Sequence, residues 1–227
     1  MKNQHFESRK WTGELRTEAS YPYLLYLPHD YEKEPEKCWP AILFLHGIGE
    51  RGDGNLETLF TTGLPRYLSG QEDFPFVVIC PQCPLTTKWF REAQGLAALV
   101  DAVLKEYRID EDRFYLTGLS MGGYGTWMLA ASYPEKFAAA APICGGGLGS
   151  YGDYLKELPI WAFHGDADPL VPVEESIKMV NKINELGGHA KLTVYPGVEH
   201  DSWTRTYENP ELYQWFLQHT RKREEIK

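Results

Sequence analysis

The chain has 227 residues, 43% of them hydrophobic and 24% charged, a balance that suits one globular domain with a continuous core and excludes a disordered or fibrous protein. Its 23 Lys+Arg against 32 Asp+Glu leave a formal net charge of -9, which repels phosphate backbones and anionic lipid heads. Neither nucleic acid nor a membrane is therefore expected as a partner.

The first segment, Met1 to Trp11, carries Lys2, His5, Glu7, Arg9 and Lys10 without an apolar run, so it cannot form the core of a secretory signal. As written the chain is expected in the cytoplasm; a domain cut from a longer secreted chain would read the same way. No stretch approaches the roughly 18 to 20 consecutive apolar residues needed to span a bilayer. From Leu15 to Leu27 the sequence reads as extended and rich in aromatic residues, and Pro28-His29-Asp30 breaks it, which predicts an N-terminal antiparallel hairpin. Ala41 to Leu45 is continuously apolar and stops at His46-Gly47, the pattern of a strand buried on both faces of a parallel sheet.

A polar, glycine-rich loop, Gly49 to Asn55, comes next, and Leu56 onward predicts a helix up to Pro65. Phe76 to Cys80 repeats the buried-strand pattern. It ends in Cys80-Pro81-Gln82-Cys83, whose CxxC follows a strand instead of opening a helix and lacks a second pair of ligands, so structural thiols are expected and no metal. Glu92 to Tyr107 has apolar residues at spacings of three and four and predicts an amphipathic helix. Strands are then expected at Arg113 to Thr117, Ala139 to Cys144, Pro159 to His164 and Lys191 to Tyr195. Helices are expected from Tyr124 to Ser132, from Val173 to Leu186, and finally after the Asn209 cap and Pro210, where Leu212, Trp215, Phe216 and His219 form the buried side. Strands alternating with helices make residues 1–227 a single α/β domain with a mainly parallel sheet and helices on both faces.

Gly118-Leu119-Ser120-Met121-Gly122-Gly123 lies between a predicted strand and a predicted helix. A serine hydroxyl is a poor nucleophile until a base takes its proton and a sharp turn lifts it clear of the backbone. Small residues on both sides permit that turn. The structural alternative is a serine that merely caps the following helix.

In a strand-turn-helix site of this kind the acid and then the base follow the serine along the chain. Two loops at strand ends qualify, His164-Gly165-Asp166-Ala167-Asp168-Pro169-Leu170 and Pro196-Gly197-Val198-Glu199-His200-Asp201. His5, His29 and His46 precede the serine, His189 precedes a strand, and His219 sits in the final helix; His200 is the only histidine on a glycine-containing loop after the last strand and is taken as base. Asp168 is the favoured acid; Asp166 competes as a turn former, and Asp201 is adjacent to the base and poorly placed for its far nitrogen.

These motifs, with Glu50-Arg51-Gly52, Pro81-Gln82-Cys83-Pro84, Trp89 and His200-Asp201-Ser202-Trp203, resemble the phospholipase/carboxylesterase and predicted-peptidase branch of the α/β-hydrolase superfamily, over nearly the whole chain. The resemblance implies a carboxylesterase working on a small-molecule ester through Ser120, His200 and Asp168, without metal or organic cofactor. It also implies an oxyanion hole from the backbone N–H groups of Ile48 and Met121. Dienelactone hydrolases share the fold but use cysteine where this chain has Ser120, so their substrates are disfavoured. A feruloyl- or acetyl-xylan-type esterase is the variant expected if Trp89, Trp203 or Tyr151 forms an aromatic platform. The remaining alternatives are a small peptidase and, in a different class, a non-catalytic binding or thiol protein on the same scaffold.

Overall fold

The computed structural model describes residues 19–221. Seven strands form one sheet: β1 (Tyr23–Tyr26), β2 (Trp39–Leu45), β3 (Val77–Pro81), β4 (Ile109–Leu119), β5 (Ala139–Ile143), β6 (Trp161–Gly165) and β7 (Lys191–Tyr195), in the order β1-β3-β2-β4-β5-β6-β7. All neighbours are parallel except β1, which runs antiparallel to β3. The expected antiparallel element is thus present, with β3 as its partner. Residues 15–18 of the stretch expected to form the hairpin lie outside the described residues.

Every residue of β2, β3 and β5 is buried, which is why these strands read as unbroken apolar runs. Alternate side chains enter opposite cores. Leu43, Leu45, Val77 and Ile79 join the core under α2 (Ala93–Glu106), α3 (Met121–Ser132), α4 (Gly152–Leu155) and α5 (Glu174–Glu185). Ile42, Phe44, Val78 and Cys80 join the core under α1 (Gly63–Leu68), α6 (Trp203–Tyr207) and α7 (Pro210–Leu217). Cys80 and Cys83 consequently lie in different cores, and both are free thiols. Burial raises both, Cys83 to about 12, so neither has the thiolate character a redox pair requires.

Two expectations about helices need correction. Leu56–Thr61 is a 3₁₀ turn; the chain extends at Thr62 and reverses at Gly63, whose φ is +66°. A Cβ on Gly63 would stand 2.6 Å from Phe44 Cζ and 2.7 Å from Leu119 Cδ2, so the reversal needs glycine. Pro65 therefore lies in the first turn of α1, where a missing N–H costs nothing, and does not end the helix. In α7 the Asn209 side chain accepts from the Glu211 amide as expected, but the helix ends at Leu217, and His219 lies beyond it, only partly buried.

Candidate active site

The parallel strands deliver three loops to one end of the sheet. β4 runs directly into Ser120, whose φ of 53° and ψ of -116° lie outside the regions comfortable for an L-residue, and α3 begins at Met121. Such a conformation costs on the order of 1–3 kcal/mol and persists only when its surroundings enforce it. Close backbone approach does so here: a Cβ on Gly122 would meet Leu45 O at 1.8 Å, and one on Gly118 would meet Gly122 O and Leu45 O at 2.6 Å. The Ser120 amide is tied to Ile143 O at 3.0 Å and to Cys144 Sγ at 3.3 Å. Ser120 thus points its hydroxyl outward from a turn that is fixed on both sides.

The β6 and β7 loops are joined to each other. Asp166 N donates to Tyr195 O, Ala167 N to Val198 O, and Gly197 N to Asp166 Oδ1 at 2.6 Å. Asp166 is accounted for by that brace. Asp201 accepts from the Thr204 amide and hydroxyl at the start of α6, a capping role. Asp168 is free for His200: its Oδ1 accepts from the Leu170 and Val171 amides, each at 2.9 Å, and its Oδ2 lies 2.6 Å from His200 Nδ1.

A carboxylate only accepts, so His200 Nδ1 carries the proton and Nε2 presents a lone pair. That lone pair lies 2.9 Å from Ser120 Oγ. Burial works against ionising Asp168, but the hydrogen bonds from His200, Val171 and Leu170 outweigh it and hold the carboxyl below its ordinary range. The acid therefore stays charged wherever an imidazole could act as base. The order Ser120, His200, Asp168 is the arrangement that can lower the cost of removing a serine proton.

The loop after β2 passes over the serine, with the position of a Gly47 Cβ 3.9 Å from Ser120 Cβ. The Met121 amide opens a helix and lacks an intrahelical acceptor, and the Ile48 amide lies on the facing loop. Three side chains to which the sequence assigns no such role hold this loop. Gln82 donates to Glu50 O, Asn55 O and Thr58 Oγ1 and accepts from Gly54 N. Arg51 bonds Ile48 O, Leu85 O and Thr87 O. Trp89 Nε1 donates to His46 O at 3.0 Å.

Trp89 is 0% exposed, so the expectation that it forms a substrate platform is corrected: its indole is a core brace for the loop. Trp203 does reach the site, its ring edge-on to His200 with centroids 5.2 Å apart. Cys144 Sγ lies within 4.8 Å of ligand atoms of Asp168 and His200, but burial pushes its thiol up to about 12 and keeps it protonated.

His46 carries a stability prediction. Its Nδ1 lies 2.6 Å from Gly47 O and must donate, while its Nε2 accepts from the Cys83 amide at 2.9 Å, so the ring is held neutral. Burial lowers its pKa from 6.5 to about 4. Between those values the unfolded chain binds more protons, so this contribution is full above about pH 6.5 and is lost on acidification through that window. The loss amounts to about 3 kcal/mol. Urea unfolding from about pH 7 to pH 4 should show a steeper decline in the wild type than in His46→Gln. Equal declines in the two would contradict this account.

Among the described residues no helix is long and apolar enough to cross a membrane. The sequence profile of the Dienelactone hydrolase family matches residues 85–214, a stretch containing Ser120, Asp168 and His200. The chain is 26% identical over 171 residues to "Probable feruloyl esterase C" of Aspergillus terreus (73% of this chain, 62% of the relative). It is 30% identical over 115 residues to "Probable acetylxylan esterase A" of Neosartorya fischeri (45% of this chain, 31% of the relative). A crystal structure of a thermostable esterase is 39% identical, with a TM-score of 0.76 over 90% of this chain and 60% of that one. This chain thus spans less than two thirds of the length of these relatives. The expected separation of this chain from dienelactone hydrolases is corrected by the family match: the serine at position 120 does not place the chain outside the family. On the strength of a match covering more than half its length, the chain belongs to the dienelactone hydrolase family.

Proposed function

We propose that the chain is a serine carboxylesterase that hydrolyses short-chain carboxylic esters through an acyl-enzyme intermediate. The observation that carries this reading is the continuous hydrogen-bonded line from Ser120 Oγ through His200 to Asp168 at a strained strand-to-helix turn. His200 Nε2 takes the Ser120 proton as Oγ attacks the ester carbonyl, and Asp168 holds the tautomer and stabilises the imidazolium. The oxyanion rests on the Ile48 and Met121 amides, each contributing about 10²- to 10³-fold. His200 then protonates the leaving alcohol, and water repeats the attack on the acyl-enzyme. The similarity to relatives named as feruloyl and acetylxylan esterases supports ester chemistry. Trp203 beside His200 favours, as a second reading, an ester with an aromatic or sugar-borne group.

The preference for short acyl chains follows from what surrounds the site. Each of α1 to α7 contributes a side chain to one of the two cores, so among the described residues no amphipathic helix is left to serve as a lid. Segments 49–55 and 145–154 are rich in glycine and polar residues, without a run of large apolar ones. An apolar tunnel would stabilise a substrate by about 0.8 kcal/mol per buried CH₂, raising kcat/KM several-fold per methylene until it ended. A p-nitrophenyl ester series should therefore peak between acetate and butyrate and fall by octanoate. A maximum at octanoate or palmitate would mean that an acyl tunnel exists and would overturn the short-chain assignment.

A further inference from the structure

The acid loop holds a second imidazole that the proposed reaction does not use. His164, in β6, has a side chain fully shielded from solvent. Its Nε2 lies 2.9 Å from Val171 O and 3.4 Å from Asp168 Oδ2, the oxygen that faces His200. Its Nδ1 lies 2.7 Å from Ser176 Oγ, and that hydroxyl is 3.0 Å from Gly145 O. A carbonyl only accepts, so the proton of His164 must sit on Nε2. That N–H is donated to the Val171 carbonyl, and Asp168 Oδ2, 3.4 Å from Nε2, lies beside it as a close negative charge without a hydrogen bond of its own to the ring.

We propose that His164 is a positioning residue for Asp168, resting on the reading of Ser120, His200 and Asp168 as a catalytic triad. Asp168 Oδ1 is fixed by two amides of its own turn. Oδ2 faces His200, a side chain that must move its proton, and its attraction for Asp168 changes, in every turnover. Were the acid turn held by its own amides alone, this buried oxygen would lose its place whenever His200 shifted. His164 anchors the turn from a strand, by its bond to the carbonyl of Val171, whose amide holds Oδ1, and by the positive edge of its ring beside Oδ2. On Nδ1 it accepts the hydroxyl proton of Ser176, which joins the acid turn to the first turn of α5; that hydroxyl has no second proton for Gly145 O, 3.0 Å away. The elimination that selects His200 from sequence passes over His164, because a histidine inside a buried strand gives no outward sign of its partner.

The test combines ¹⁵N-histidine NMR on the intact chain with two variants. In the wild type His164 should carry its proton on Nε2, and the His200 Nδ1–H should give a low-field signal from its bond to Asp168. His164→Leu should lower kcat by about 10²-fold with little change in KM, as a small misplacement of a catalytic group does, and should shift or abolish that signal. His164→Gln, which keeps an N–H at the same reach, should recover most of both. A wild-type His164 protonated on Nδ1 alone would overturn the proposal, even if the leucine variant failed to fold. So would a folded His164→Leu with wild-type kcat and an unshifted signal. The NMR readouts can be repeated in Ser120→Ala, so they test the positioning of Asp168 independently of whether the triad reading holds.

Discussion

Ser120→Ala is expected to lose about 10⁵- to 10⁶-fold of esterase turnover while keeping the wild-type fold. The loss is large because serine and base act as a unit: without the hydroxyl, the imidazole and the oxyanion donors have no attacking oxygen to serve. The fold should persist because the turn is held by backbone contacts. The Ser120 amide bonds Ile143 O and Cys144 Sγ whatever the side chain, and the close approach of Gly122 to Leu45 is unchanged. A φ of 53° strains alanine much as it does serine. Steady-state rates on p-nitrophenyl acetate, with circular dichroism as the folding control, check this. A folded variant that keeps more than about a tenth of wild-type activity would remove Ser120 from the mechanism.

The second large effect separates two aspartates only two positions apart. Asp168→Asn places an amide opposite His200, and an amide N–H there forces the imidazole proton onto Nε2, the wrong tautomer for accepting from Ser120. About 10⁴-fold in kcat should be lost. His200→Ala should cost nearly as much as Ser120→Ala, since it removes the base itself. Asp166→Asn keeps an oxygen for the Gly197 amide, so it should cost less than about tenfold. Parallel kinetics on the three variants decide the assignment. If Asp166→Asn proved the more damaging aspartate change, the acid would be misassigned.

The sequence made the strands legible because burial on both faces of a parallel sheet leaves apolar runs, as in β2 and β3, and made Ser120 legible because only glycine fits around its turn. The two loops carrying Asp168 and His200 were readable from their place after strands. Helix boundaries around Leu56 to Leu68 were not, because the break depends on Gly63 meeting Phe44 and Leu119 from distant strands. Trp89 misled for a similar reason. A tryptophan beside a glycine-rich loop reads equally as platform or brace, and only its bond to His46 O, across the fold, distinguishes them. Gln82 and His164 were silent because their partners lie on other segments; each uses ordinary polar chemistry at a spacing that carries no periodic signal.

If Ser120 is the one serine activated for acyl transfer, covalent labelling will find it. A fluorophosphonate reacts with a serine only where a base removes the proton and an oxyanion hole receives the developing charge, so it reads the assembled site without knowledge of the natural substrate. The wild-type chain should be phosphonylated stoichiometrically, located by peptide mass spectrometry on the segment containing Ser120, and Ser120→Ala should take no label. Absence of label on the folded wild type, or label that persists in Ser120→Ala, would contradict the assignment of Ser120.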